Sequence, residues 1–204
     1  MFGIADYGAF VVAIIVFLAI PGPGNLALLT ATGKGGVRSG MVATLGVIAG
    51  DQVLLWLAVA GLSAMLLNYP GLYASVKWAG AAYLFGLGFS LFRAEVGDAP
   101  VLKMKAGHYF RQALLITVLN PKAIVFYMAF FPLFVDPVIH QGFLTFAVMA
   151  GTIAALTLVY GLVVVLLAHH LAERVRANPV VRVLLNKTAG VLLIGFGLKL
   201  AFFK

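Results

Sequence analysis

No cysteine occurs anywhere in the chain. That excludes disulfides, thiol catalysis, iron–sulfur ligation and dithiol electron transfer. Charge is scarce too: 10% of the 204 residues are charged, against about 25% in a soluble globular domain. Acids are scarcer than bases, six against 14. Residues 1–8 lack the positive n-region of a signal peptide, so the first apolar run reads as a retained span. Histidine offers no metal set: His108 and His140 fall in loops, and the neighbours His169 and His170 point in different directions. No metal and no cofactor are expected.

What the chain has in excess is apolar sequence, 63% of all residues. This is the composition of an all-α polytopic membrane protein. A span needs roughly 20 apolar residues, and six are expected at 8–31, 40–67, 71–92, 111–135, 141–168 and 186–203. Turn signals at Asn68-Tyr69-Pro70-Gly71 and Asp136-Pro137 separate neighbours. The net charge of +8 does not point to nucleic acid. Ten of the basic residues follow spans one, three and five, whereas the opposite side holds only Lys204. The positive-inside rule then places both termini outside the cytoplasm.

The two halves resemble each other. Val47-x-Ala49-Gly50 recurs as Val148-x-Ala150-Gly151, Lys77-x-Ala79-Gly80 as Lys187-x-Ala189-Gly190, and Gly86-x-Gly88 as Gly195-x-Gly197. A unit of three spans must invert when repeated. The expected organisation is a first three-helix repeat (1–92), a cytoplasmic linker (93–110) and a second, inverted repeat (111–204).

Two of the spans are interrupted, about 100 residues apart: span one at Pro21-Gly22-Pro23-Gly24-Asn25 and span four at Asn120-Pro121-Lys122. Proline removes a backbone donor and frees a carbonyl one turn back. Lipid cannot satisfy such groups, so they must face protein or a watery cavity. Paired broken helices in two halves point to a transporter's binding site. Asn120 is a favoured N-cap residue with proline at the first helical position, and Asn25 is expected to cap a half-helix in the same way. Two helix N-termini would then present N–H groups and partial positive charge to an anion such as a carboxylate.

Asp51 is the sole acid inside any span, and an ionised Asp at mid-depth costs roughly 2.5–3.5 kcal/mol on insertion scales. Lys122 lies at similar depth, in a helical first turn where its charge opposes the helix dipole, so an anionic partner is expected. The pair reads either as a structural ion pair or as a zwitterion site, with substrate carboxylate toward Lys122 and Asp51 holding the ammonium group or carrying a coupling proton. Gln52 points about 100° away from Asp51 and ranks below it. Gly46-x3-Gly50 reads as a close-packing face. The expected substrate-binding residues are Pro21, Gly22, Pro23, Asn25, Asp51, Asn120, Pro121 and Lys122, with coupling assigned to Asp51.

These motifs together resemble the LysE/RhtB family of amino-acid exporters of bacterial cytoplasmic membranes, over nearly the whole chain. The resemblance rests on Pro21-Gly22-Pro23, on Ser39-Gly40-Met41 through Gly46-x3-Gly50-Asp51, and on Lys77-x2-Gly80-x2-Tyr83-Leu84. It continues in Asn120-Pro121-Lys122-Ala123-Ile124-x-Phe126-Tyr127 and Phe130-Phe131-Pro132-Leu133-Phe134. Two departures stand out: Gly24 intervenes before Asn25, and Leu133 stands where many members carry Gln. The fourth-span wording is similar to the leucine- and neutral-amino-acid branch. The resemblance implies proton-driven efflux of amino acids by a non-enzymatic inner-membrane transporter, often a homodimer. An uncoupled small-solute channel is the alternative. An intramembrane enzyme would need a nucleophile–base pair or a metal set, and neither is present.

Overall fold

Helix α1 (Tyr7–Ala19) begins where Asp6 Oδ1 accepts from the Ala9 backbone N–H at 2.9 Å, an N-cap bond. It ends at Ile20, whose backbone is extended (φ −65°, ψ 119°), as the residue before a proline prefers. Helix α2 (Pro23–Asn68) restarts with proline in its first turn. The computed structural model describes residues 3–20, 22–68, 104–130, 134–135 and 142–170, with single helical positions at 78, 82, 85, 86, 89, 187, 191 and 194. Pro21, Lys77, Tyr83, most of the expected third and sixth spans and most of the linker 93–110 lie outside the described residues.

Within α2 the chain turns sharply at Gly35 and Gly36. Gly36 has φ 67°, a left-handed conformation that side chains with a Cβ rarely adopt. Across the turn Thr32 faces Gly40 closely enough that a Cβ at position 40 would lie 2.2 Å from the threonine Oγ1. The stretch between the first two expected spans is therefore a tight glycine turn with Lys34 and Arg38 beside it. Lys34 Nζ ties this end down by donating to the Met104 carbonyl at 2.8 Å.

Helix α3 (Tyr109–Val118) leads to the second interruption, at Leu119–Asn120. Beyond it run the short α4 (Pro121–Val125) and a π-helical turn (Phe126–Phe130). Helix α5 (Phe143–His170) closes the described bundle. Among the described residues the main elements are all helices, without a strand. One bridge joins Ile4 to Val135, and the Ala5 N–H donates to the Phe134 carbonyl at 3.0 Å.

Small residues set the helix spacings. A Cβ at Gly46 would lie 2.3 Å from the Phe110 carbonyl oxygen, and one at Gly50 would lie 2.7 Å from Thr117 Cβ. The Gly46-x3-Gly50 face is thus the surface on which α3 packs against α2. Gly161 of α5 meets Thr44 of α2 in the same manner. The outer surface is apolar: Leu45, Leu57, Val159, Val163 and Leu167 are all exposed. Two described stretches, Pro23–Gly61 and Phe143–His170, are long and apolar enough to cross a membrane. An apolar surface of this extent is a lipid-facing surface rather than a solvated one.

Candidate functional site

The buried apolar residues fall into two clusters. One gathers Phe10, Ile14, Phe17, Leu18, Leu54, Leu55, Phe126, Tyr127, Met149 and Ile153. The other gathers Ala27, Leu28, Ala31, Ala43, Val47, Tyr109, Ala113 and Val165. A polar layer lies between them. On α2, Asp51 falls between Val47 of one cluster and Leu54 of the other. On α5, Thr157 and Tyr160 fall between Ile153 and Val165. Thr117, Asn120 and Lys122 fall between Ala113 and Ala123, and Gly22, Gly24 and Asn25 between Leu18 and Ala27. All of these layer residues line one cavity.

Both interruptions open onto it. At the second, Asn120 is the N-cap: its Oδ1 accepts from the Lys122 backbone N–H at 3.1 Å, with Pro121 at the first helical position. At the first, Asn25 does not cap. It is the third residue of α2, and its Nδ2 donates back to the Leu18 and Ile20 carbonyls at 3.0 and 3.2 Å. Asn25 therefore satisfies acceptors freed at the end of α1 rather than donors at the start of α2. The first-turn N–H groups of α2 are left without helical acceptors.

Lys122 joins the two interruptions. Its Nζ donates to the carbonyls of Phe17 (2.9 Å) and Ile20 (2.8 Å) and sits 4.5 Å from the centre of the Phe17 ring. Its direct contacts are the C-terminal carbonyls of α1, the end of a helix that favours a cation. The Asp51 carboxylate acts on it at longer range, without a direct ion pair. The two contacts leave one of the three ammonium protons uncommitted.

Asp51 is buried, 2% exposed. Thr157 Oγ1 donates to its Oδ2 at 3.5 Å, and Tyr127 and Lys122 are its other polar neighbours. No direct ion pair links Asp51 to Lys122 among the described residues. Gln52 turns away and donates to the Ala150 carbonyl at 3.1 Å. Thr152, the repeat counterpart of Asp51, bonds the Tyr7 hydroxyl at 3.0 Å. The charged site is thus asymmetric: Asp51 has no acidic counterpart at Thr152.

The structure brings Gly22, Asn25, Asp51, Asn120 and Lys122 to one cavity, with Pro23 and Pro121 starting the two helices that border it. Thr117, Thr157 and Tyr160 belong to it as well, with Tyr160 beside Asn25. Sequence reasoning passed over all three. Thr117 carried a usable signal, since it lies one turn before the Asn120 interruption. The cavity is about 40 Å³, enough for ordered water. Among the described residues no group of His and carboxylates could hold a metal.

Comparison with known proteins gives a consistent result. A family model described as "LysE type translocator" matches residues 15–203. An uncharacterized membrane protein of Pseudomonas aeruginosa is 33% identical over 207 residues, covering 98% of this chain and 96% of that protein. Leucine efflux proteins of Salmonella typhimurium and Klebsiella pneumoniae are each 29% identical over 204 residues, with the same coverage. No solved structure matches.

Proposed function

The chain belongs to the LysE type translocator family, and from that premise we propose that it exports neutral amino acids across the bacterial cytoplasmic membrane by proton-coupled alternating access. The observation that carries this reading is the single cavity onto which both interruptions, Asp51 and Lys122 open. Its two ends suit the two ends of a zwitterion. The remaining Lys122 proton and the free first-turn N–H groups of α2 would take the carboxylate. Asp51 would take the ammonium group or exchange it for a proton.

Alternating access needs helices that part and close around such a cavity. We read the arrangement in which Lys122 bridges the two interruptions as one state of that cycle. Lys122 is the natural fastener of that state, because it ties the end of α1 to the start of α4. We assign the whole chain to a 3+3 inverted repeat with both termini outside, the two repeats rocking about the polar layer. The leucine efflux proteins among its relatives favour a leucine-like substrate.

The test is efflux from proteoliposomes loaded with labelled amino acids under an imposed pH gradient. Efflux that follows the gradient supports the reading. Leakage independent of the gradient, or no transport of any amino acid, opposes it. Counterflow separates a carrier from a channel, since only a carrier exchanges labelled for unlabelled substrate.

A further inference from the structure

Thr117 Oγ1 is the one buried side-chain oxygen or nitrogen without a hydrogen-bond partner among the described residues. The residue is 3% exposed and lines the cavity. Other threonines in this bundle behave differently. Thr32, Thr44 and Thr152 return their hydroxyls to the carbonyls of Leu28, Gly40 and Val148, at 2.7, 3.0 and 2.8 Å. Thr157 spends its proton on Asp51. Thr117 makes neither contact. A buried hydroxyl left unpaired in an apolar bundle calls for a ligand or an ordered water.

Glycine fixes where that hydroxyl stands. A Cβ at position 50 would fall 2.7 Å from Thr117 Cβ and 3.1 Å from the Leu114 carbonyl oxygen. Any larger residue would hold α3 away from α2. Gly50 therefore lets Thr117 approach the helix turn that carries Asp51.

We propose that Thr117 is a substrate-binding residue whose Oγ1 accepts a hydrogen bond from the α-ammonium group of the amino acid, beside the Asp51 carboxylate. This rests on the reading of the cavity as an amino-acid site and adds a specificity element to it. An ammonium group carries three donors and no acceptor. The Asp51 carboxylate supplies one acceptor position and the Thr117 lone pairs another. An α-hydroxy acid has one donor where the amino acid has three, so it gains nothing from a second acceptor once Asp51 is engaged. Thr117 thereby selects amines over hydroxy acids.

The test is L-leucine counterflow in proteoliposomes, with competition by L-leucine and by its α-hydroxy acid analogue. Thr117→Val replaces the hydroxyl by a methyl group of the same shape, so packing on Gly50 is retained. It is expected to raise the KM for L-leucine about tenfold or more, the effect of losing a hydrogen bond to a charged group. The hydroxy acid's inhibition should stay nearly unchanged, and Thr117→Ser should behave like wild type. A wild-type KM in Thr117→Val, or an equal loss in Thr117→Ser, would overturn the proposal. So would an equal loss of amino-acid and hydroxy-acid binding, the mark of a merely structural role. Thr117→Ala provides the same comparison should the valine crowd Gly50. If the wild-type protein itself moves no amino acid, the cavity reading fails and this inference with it. If wild type transports and Thr117→Val is unaltered, the role of Thr117 alone falls.

Discussion

At the scale of single residues, the buried Asp51 and the half-buried Lys122 share one layer without a direct ion pair, and each can be tested separately. Asp51→Asn keeps the shape and removes the charge. It is expected to lower coupled efflux at least about tenfold, the loss of one charged hydrogen bond. Its thermal stability in detergent should be equal or higher, because burying an ionised Asp costs roughly 2.5–3.5 kcal/mol on insertion scales. Wild-type efflux from the variant would remove Asp51 from the mechanism. Lys122→Ala strips a donor from the Phe17 and Ile20 carbonyls, and leaving a buried acceptor unpaired costs about 1–3 kcal/mol. Thermal unfolding should shift down accordingly. The variant should also lose the preference for amino acids over their amides; an intact preference would mean that Lys122 is a fastener and not a carboxylate receptor. Local chemistry made one of these residues readable in advance. Asn-Pro-Lys encodes its own cap, so Asn120 bonds Lys122 as its spacing implies. Pro21 marks the freed carbonyl of Phe17 one turn back, but not which donor would fill it, so the bond from Lys122 was not readable. Asn25 lies past the cap position because α2 already starts at Pro23, and there its amide serves as a donor.

At the scale of elements, the asymmetry between the halves is sharper than the repeat suggests. Gly50 and Gly151 occupy matching places in Val-x-Ala-Gly. A Cβ at Gly50 collides with α3, whereas one at Gly151 meets nothing within 4 Å among the described residues. Gly46 is tighter still, against the Phe110 carbonyl. Gly46→Ala should therefore wedge α3 from α2 and destabilise the protein by about 1–3 kcal/mol. Gly151→Ala should be neutral or slightly stabilising, by up to about 1 kcal/mol, from helix propensity. Thermal denaturation of both variants in one detergent decides this, and equal shifts would contradict the packing assigned to α2 and α3. The small-residue face was legible in sequence because its period matches a helix. The polar layer was not. Thr157 and Tyr160 look like ordinary packing residues in apolar helices, and Thr117 is marked only by its place one turn before Asn120. They form a layer only when α2, α3 and α5 are set in register between the two apolar clusters.

At the scale of the whole molecule, the chain is a membrane protein of the LysE type translocator family, helical and without a strand among the described residues, with a polar cavity between two apolar clusters. Composition alone made the membrane class plain, since 10% charged residues cannot solvate a surface of this size. The bias of basic residues also gives an orientation to test. In right-side-out vesicles a membrane-impermeant maleimide should modify Ala5→Cys and spare Lys105→Cys, both at exposed positions; the inverted pattern would reverse the topology. The natural absence of cysteine makes such labelling free of background.

That same absence permits the most direct measurement. A cysteine at Gly24, a cavity-lining position where a Cβ meets nothing within 4 Å among the described residues, should react with a water-soluble thiol reagent as the protein cycles. The transported amino acid should protect it, with a concentration dependence that follows the KM of counterflow. A Gly24→Cys protein that transports yet never reacts, or reacts at a rate no transported amino acid alters, would contradict a shared substrate cavity at the two helix breaks.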